Sequence, residues 1–516
     1  MRPSARLRRS AVALVAAGVL LSAVPLACAA ARTPVPTRGG ALEGTEHDGV
    51  VAYLGIPYAV PPVGDLRWRA PQGLPRWPGV RRADHFGNDC MQVRRPSGPG
   101  ASRTSGVPRP LSEDCLYLNV WTPAAAAGRV PVMVWLHGGA FSVGSASQPL
   151  YDGEKLARRG VVVVTLNYRL GKFGFFAHPA LVNETPAGPI GNYGLLDQIA
   201  ALKWVKENIA AFGGDPGNVT LFGQSAGGAA VSYLMQSPYA RDLFQRAIIE
   251  SGIFASAAVT LAQAEEAATT AATSWGLTNP DATALRKIPE EIVLGGGPAL
   301  AGRSGPMVDG KVVPEDMFAA FDAGRVVHVP LLIGSNSYEA GFFPTRAQGL
   351  SQRFTAQWAK IEALFDGYGT HQTQAIEGEL ATDMLITAPT RRVARAAAAH
   401  GLPTYLYYFS YVRPSQRGSV PGASHIDEVY AVFDKLGSLE PQGGADTRRI
   451  VDEVESRWIE FAQSGRPTVR PRDWPALTSG SERLLEFTNT GVAVRRDFAR
   501  ARLDLAATLG AQAPPP

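Results

Sequence analysis

The sequence predicts an α/β fold, a central and mostly parallel sheet flanked by helices, and three observations predict it. Val130–Leu136 and residues 160–167 are near-continuous apolar runs, the second with valine at each position from 161 to 164. Runs of that kind are strands buried on both faces, as in a parallel sheet. Residues 192–208 place Leu195, Leu196, Ile199, Leu202 and Val205 at helical spacing, which reads as an amphipathic helix. Val219 to Phe222, short and β-prone, passes through Gly223-Gln224-Ser225-Ala226-Gly227 into a small-residue stretch suited to a helix. Strands alternate with helical segments along the rest of the chain, the pattern of a layered α/β domain.

The chain has 516 residues, 45% of them hydrophobic, enough for a sizeable core. The N-terminus is an address. Arg2, Arg6, Arg8 and Arg9 precede an uncharged run over residues 11–26, and Ala-Cys-Ala-Ala-Ala follows. This is the basic, apolar and small-residue order of a secretory signal, with cleavage expected after Ala29 or Ala31. The protein is therefore expected to be exported, with lipid attachment at Cys28 as a minor alternative. The formal charge is +5, and loss of the four signal arginines leaves about +1. Neither nucleic acid nor an acidic membrane surface is implied as a partner. Of three cysteines, Cys90 and Cys115 stay in the mature chain, and in an exported protein they most simply form a disulfide. Closing that Pro/Gly/Ser/Arg-rich loop is worth roughly 3 kcal/mol. Two thiols without a nearby histidine pair do not make a metal site.

Taken in order, residues 49–71 begin as an alternating strand and then turn at prolines. Residues 113–121 are a second strand, ended by Thr122-Pro123. Val130–Leu136 runs straight into His137-Gly138-Gly139-Ala140-Phe141. Residues 213–216 close the long helix and lead to the strand before Ser225. Residues 247–250 form a further strand, 253–323 an Ala-rich helical insertion, 329–334 a strand, 350–400 helices, 405–411 an aromatic strand and 453–464 a helix. One domain is expected over residues 32–510, with a frayed tail at 511–516.

Strand, Gly-Gln-Ser-Ala-Gly, then helix is a nucleophile elbow. Its serine occupies a strained turn, and a larger residue at Gly223 or Gly227 would crowd the neighbouring strand or helix. Such a serine needs an acid and then a histidine later in the chain. Four histidines follow it. His328 precedes a strand, His371 lies in a polar turn and His400 sits at a helix end. His425 hangs in a loop after a strand, which suits a base. For the acid, Glu339 follows the strand at 329–334, and Asp309 is the rival, in a segment that reads as a turn. Spacing favours Glu339 without deciding it. The glycines of His137-Gly138-Gly139-Ala140 let backbone amides converge with that of Ala226 on an oxyanion.

These residues resemble the type-B carboxylesterase/lipase family, the cholinesterase-like branch of the α/β-hydrolase fold. The resemblance rests on Leu54 to Ala59, Glu113 to Asn119, His137 to Phe141, Asn167 to Gly171, Gly191 to Gln198, Phe212 to Pro216, the elbow, Glu250-Ser251-Gly252 and Phe461-Ala462. It implies helical insertions over the active site, Ser225 as nucleophile, Glu339 as acid and His425 as base. It also implies oxyanion amides from Gly139, Ala140 and Ala226, a Cys90–Cys115 disulfide, and Ser251 as a buried hydrogen-bond support. Ala140 departs from the family's third glycine, and Ala340 and Ile426 stand where glycine is common. Residues 91–114 contain no aromatic, whereas cholinesterases hold quaternary ammonium there with a tryptophan. A choline-ester specialist is not expected.

The expected activity is thus that of an exported serine carboxylesterase on a small-molecule or polymeric ester, without metal or organic cofactor and with no membrane span in the mature chain. Hydrolysis of amides, carbamates or polyesters by the same residues is the nearest alternative. A non-catalytic binding module is the more distant one, since members of that kind lack the nucleophile.

Overall fold

Successive residues of the central strands send their side chains to opposite faces, and both faces are buried. The computed structural model describes residues 33–94, 109–125, 128–185, 188–256, 258–295, 305–366, 371–470, 473–478 and 480–512. The expected signal at 1–31, with Cys28, lies outside them, as do residues 95–108 of the cysteine loop and the last four of the tail. By its contacts Pro34–Pro516 is one compact unit, and everything below concerns it.

The main sheet has strands β1 (Thr45–His47), β2 (Val50–Pro57), β3 (Tyr117–Pro123), β4 (Val130–Leu136), β5 (Val162–Leu166), β6 (Gly214–Gln224), β7 (Arg246–Glu250), β8 (Leu331–Asn336), β9 (Thr404–Phe409), β10 (Arg483–Thr488) and β11 (Gly491–Arg496). Their spatial order is β11-β10-β9-β8-β7-β6-β4-β5-β3-β2-β1. From β10 to β5 every neighbour pairs in parallel. The two margins, β5-β3-β2-β1 and β10-β11, are antiparallel.

On β4, Val132, Val134 and Leu136 enter one core cluster while Met133 and Trp135 enter the other. Helix α1 (Tyr193–Asn208) covers the first with Leu195, Ile199, Leu202 and Val205. After α2 (Ala226–Gln236), α3 (Ala388–Ala399) and α4 (Asp427–Val432), helix α5 (Gly444–Ser464) covers the second with Ile450, Val451, Val454 and Trp458. Helix α6 (Arg500–Gln512) packs on a third, smaller cluster. A parallel sheet cannot leave a face wet, and these layers are how the chain meets that demand. No helix among the described residues is long and apolar enough to cross a membrane.

Several elements differ from the sequence expectation. Helix α1 is amphipathic only in its second half, where Lys203, Lys206 and Glu207 are exposed, and Tyr193 to Ile199 are buried all round. The buried pair Asp197–Arg169 makes that possible, the carboxylate taking Arg169 Nε at 2.8 Å, Nη2 at 2.7 Å and the Arg169 amide at 3.0 Å. The second strand starts at Tyr117 rather than 113, because Cys115 is bonded to Cys90 and the Glu113 carboxylate is paired with the Arg67 guanidinium. Helix α5 begins at Gly444, ahead of the expected 453, and α6 runs to Gln512, into the expected tail. The edge pair β10–β11 was not expected from the sequence at all. Strand β11 is partly exposed and ends in Arg495 and Arg496, and β10, though buried over 484–487, is interrupted by Glu486, so neither shows the unbroken apolar run that marks the inner strands.

Candidate active site

The elbow is held by glycines that tolerate no side chain. A Cβ on Gly227 would lie 1.9 Å from the Leu136 carbonyl oxygen, and one on Gly223 would lie 2.6 Å from the Gly227 carbonyl carbon. On the other side, a Cβ on Gly228 would come within 3.0 Å of Gly252 Cα. Strand β6 and helix α2 therefore close on each other at Ser225, which takes φ 58° and ψ −125°. That left-handed conformation costs a non-glycine residue roughly 1–3 kcal/mol, and the packing around it supplies the compensation. The Ser225 amide donates to the Glu250 carbonyl at 2.9 Å.

His425 Nε2 lies 2.8 Å from Ser225 Oγ, and its Nδ1 lies 2.5 Å from Glu339 Oε2. The second Glu339 oxygen accepts the Asn336 amide at 2.7 Å. Glu339 is 0% and His425 2% exposed, so the carboxylate and imidazole meet away from bulk water, while Ser225 at 8% opens toward it. A serine oxygen, an imidazole spanning it to a carboxylate, and burial of the two inner groups make an arrangement that can pass a proton and activate the serine oxygen. Strand ends β6 and β8 carry Ser225 and Glu339, and the loop between β9 and α4 carries His425.

The loop after β4 lies against the elbow, since a Cβ on Gly138 would sit 3.1 Å from Ser225 Cβ. Gly139, Ala140 and Phe141 have φ of 114°, 53° and 55°, three left-handed residues in a row. Ala140 thus adopts the region in which glycine is easier. A Cβ on Gly139 would strike the Val143 oxygen at 2.0 Å, so only glycine fits there. Tyr168 Oη donates to the His137 carbonyl at 2.8 Å and the Gly171 amide to the Phe141 carbonyl at 2.7 Å, bracing the turn from β5. Gly144 exchanges two 2.8 Å hydrogen bonds with the Gln92 side chain, next to the disulfide arm. Among the described residues, no protein acceptor takes the amides of Gly139, Ala140 or Ala226, the last being the first residue of α2. Left-handed turns and helix N-termini present amides to anions in this way. Burial pushes the His137 imidazole down to about 4, so it is neutral, stacked on Tyr168 with ring centroids 4.5 Å apart.

The remaining expectations fall as follows. Cys90 and Cys115 are bonded. Ser251, on the neighbouring strand end, donates to Glu428 Oε1 at 3.4 Å rather than to Ser225 or His425. Asp309 caps a turn, accepting from the Lys311 and Val313 amides at 3.1 and 2.8 Å. His328 Nε2 meets the His400 carbonyl and His400 Nε2 the Asp322 carbonyl, at 3.0 and 2.9 Å. His371 pairs with Glu362 on the surface. Among the described residues, His47, Asp48 and Glu154 form one group with metal-ligand spacing, and Arg158 pairs with both carboxylates.

The sequence reading missed the surroundings of the base. Gln224 Nε2 donates to the His425 carbonyl, and Asn336 Nδ2 donates to the Ser424 carbonyl and to Glu428 Oε2. Phe342, Phe343 and Phe254 ring the imidazole with centroids 5.0, 5.3 and 6.1 Å away. Glu250, at the end of β7, and Glu428, which accepts from Asn336, are both 0% exposed. Burial raises Glu250 to about 8 despite the Trp458 indole N–H it accepts at 2.7 Å, and burial with Glu250 and Glu339 nearby raises Glu428 well above the carboxylate range. Chain adjacency was the available signal: Gln224 precedes Ser225, and Glu428 follows His425 by three residues.

Fold and site together define a carboxylic-ester hydrolase of the α/β-hydrolase fold. The chain belongs to the Carboxylesterase family, which matches residues 31–368 and 368–506. Among curated relatives, the fumonisin B1 esterase of Sphingopyxis macrogoltabida is 38% identical over 467 residues, covering 86% of this chain and 85% of its own. The para-nitrobenzyl esterase of Bacillus subtilis strain 168 is 38% identical over 465 residues, covering 86% and 92%. A solved PNB esterase superposes with TM-score 0.78 at 34% identity, over 91% of this chain and 99% of that one. A Geobacillus stearothermophilus carboxylesterase gives 0.77 at 34%, over 92% and 100%.

Proposed function

We propose that this chain is an exported serine carboxylesterase working through an acyl-enzyme on Ser225. The observation that carries the reading is the unbroken contact from Ser225 Oγ through His425 to Glu339, at 2.8 and 2.5 Å. His425 Nε2 takes the Ser225 proton as the oxygen attacks the ester carbonyl. The oxyanion receives N–H bonds from Gly139, Ala140 and Ala226. His425 returns the proton to the leaving alcohol, which departs and leaves the acyl group on Ser225. Water, deprotonated by the same nitrogen, then releases the acid and restores the serine. Glu339 orients the ring and stabilises the imidazolium.

Because His425 protonates the leaving oxygen, the alcohol must pass beside it. Phe254, Phe342 and Phe343 stand there half-buried, and they favour apolar, ring-bearing alcohols over charged ones. A para-nitrobenzyl esterase among the relatives supports such a substrate. The basic, apolar, small-residue order of residues 1–31 supports export.

Ser225→Ala decides the chemistry. It is expected to abolish turnover of a short aryl ester with thermal unfolding nearly unchanged, and retained turnover would overturn the assignment. A panel of benzyl esters, alkyl esters and matching amides, run on the active enzyme, tests the substrate reading. Equal rates on benzyl and short alkyl esters would remove the role given to the three phenylalanines.

A further inference from the structure

His425 is held by its backbone as well as by its ring. Gln224 Nε2 donates to the His425 carbonyl, and Asn336 Nδ2 donates at 2.6 Å to the carbonyl immediately before it, on Ser424. Gln224 is the residue before Ser225. Asn336 ends β8, three residues before Glu339, and its own amide donates to Glu339 Oε1 at 2.7 Å. Each carboxamide is thus joined through the chain to one partner of the imidazole and through a hydrogen bond to the backbone that carries the imidazole. Gln224 is 2% and Asn336 0% exposed.

The geometry points to Gln224 and Asn336 as a pair of positioning residues that register His425 between its nucleophile and its acid, an inference resting on the Ser225–His425–Glu339 reading. Their chemistry suits the task. A carboxamide donates to a carbonyl without adding charge. A cation in either place would oppose the imidazolium formed on His425, and a carboxylate would repel the carbonyl oxygen it faces. The Asn336 amide also serves Glu428 Oε2, on the first turn of α4, so one side chain holds both the approach to His425 and the helix that follows it. Further bonds join the same two segments: the Tyr338 amide to the Ala423 carbonyl and the Ala423 amide to Ser337 Oγ, each 2.8 Å. Those bonds align the strand end with the loop, and the two carboxamides set the last peptide units before and after the base. Misplacement of a catalytic group by about 1 Å costs on the order of 100-fold in rate.

The test is steady-state kinetics on a short aryl ester with Gln224→Met and Asn336→Ala, which keep bulk or remove it but donate nothing. Each is expected to lower kcat by about 10- to 100-fold while KM stays within about twofold, the signature of lost alignment rather than lost binding. Should Asn336→Ala not yield folded protein, Asn336→Asp keeps the shape, faces the Ser424 carbonyl with an acceptor, and is expected to show the same loss. Unchanged kcat in the folded variants, or a rise in KM at constant kcat, would overturn the inference. Ser225→Ala and organophosphonate labelling of the unmodified enzyme run alongside. An inactive Ser225→Ala with full activity in the carboxamide variants rejects the positioning role alone, whereas an active Ser225→Ala rejects both readings.

Discussion

Gly227 and Leu136 touch through their backbones: a Cβ on Gly227 would fall 1.9 Å from the Leu136 carbonyl oxygen and 3.0 Å from the His137 carbonyl carbon. The turn that carries Ser225 and the loop that carries Gly139 and Ala140 are therefore one packing unit. Both obstructing groups are main chain, so a side chain there moves one loop or the other. Gly227→Ala is expected to destabilise the fold by about 1–3 kcal/mol in urea unfolding and to lower kcat by more than about 100-fold, the range lost with one oxyanion donor. Wild-type kinetics in that variant would show that the contact is not needed.

Glu339→Gln keeps the shape and leaves an oxygen for the Asn336 amide, but removes the charge facing His425 Nδ1. It is expected to reduce kcat by about 10³- to 10⁴-fold with little change in KM. The rate of a p-nitrophenyl ester at saturation reads this directly.

Ala140 holds φ 53°, and among the described residues no protein acceptor takes its amide or that of Gly139. Relief of that strain by Ala140→Gly, worth roughly 1 kcal/mol, is expected to preserve activity and to leave the unfolding midpoint equal or higher. Ala140→Val, with a branched Cβ, is expected to lower kcat severalfold. A valine variant as active as the parent would mean that the left-handed turn has no part in the rate.

Glu250 makes stability depend on pH in an unusual direction. Burial pushes its carboxyl from an ordinary 4.5 up to about 8 in the folded chain. Between those values the folded chain keeps a proton the unfolded chain has lost. Its contribution is full below pH 4.5 and declines as pH rises to about 8, with a slope approaching about 1.4 kcal/mol per pH unit. Glu250→Gln, which still accepts the Trp458 indole N–H, is expected to make this decline shallower in urea titrations across that range, Glu428, also raised by burial, keeping its own share. An unaltered slope would place the proton elsewhere.

The Cys90–Cys115 bond closes a chain separation of 25 residues, worth about 3 kcal/mol in loop entropy. It also anchors Gln92, which holds Gly144 of the loop after β4. Replacing both cysteines by serine is expected to cost about that stability and to lower kcat a fewfold. A stability loss with unchanged kcat would uncouple the arm from the loop.

What the sequence by itself determined is local chemistry. The strand, elbow and helix around Ser225 are legible because glycine, serine and apolar residues constrain the backbone within a dozen positions. The inner strands are legible because burial on both faces demands continuous apolar residues, as in β4 and β5. Histidine candidates were few enough for His425 to stand out, while spacing left Glu339 in competition with Asp309. Only the tertiary structure brings Glu339 and Ser225 to the two ring nitrogens of His425. Partners 86 and 200 residues apart leave no periodic mark on a chain. The same holds for Gln224 and Asn336, whose amides reach backbone carbonyls that any residue type would supply. The strands β10 and β11 at one margin of the sheet and the all-round burial of early α1 also belong to the tertiary structure. An edge strand such as β11 is stabilised by the neighbour it pairs with, and Asp197 is buried on its helix where Arg169 meets it.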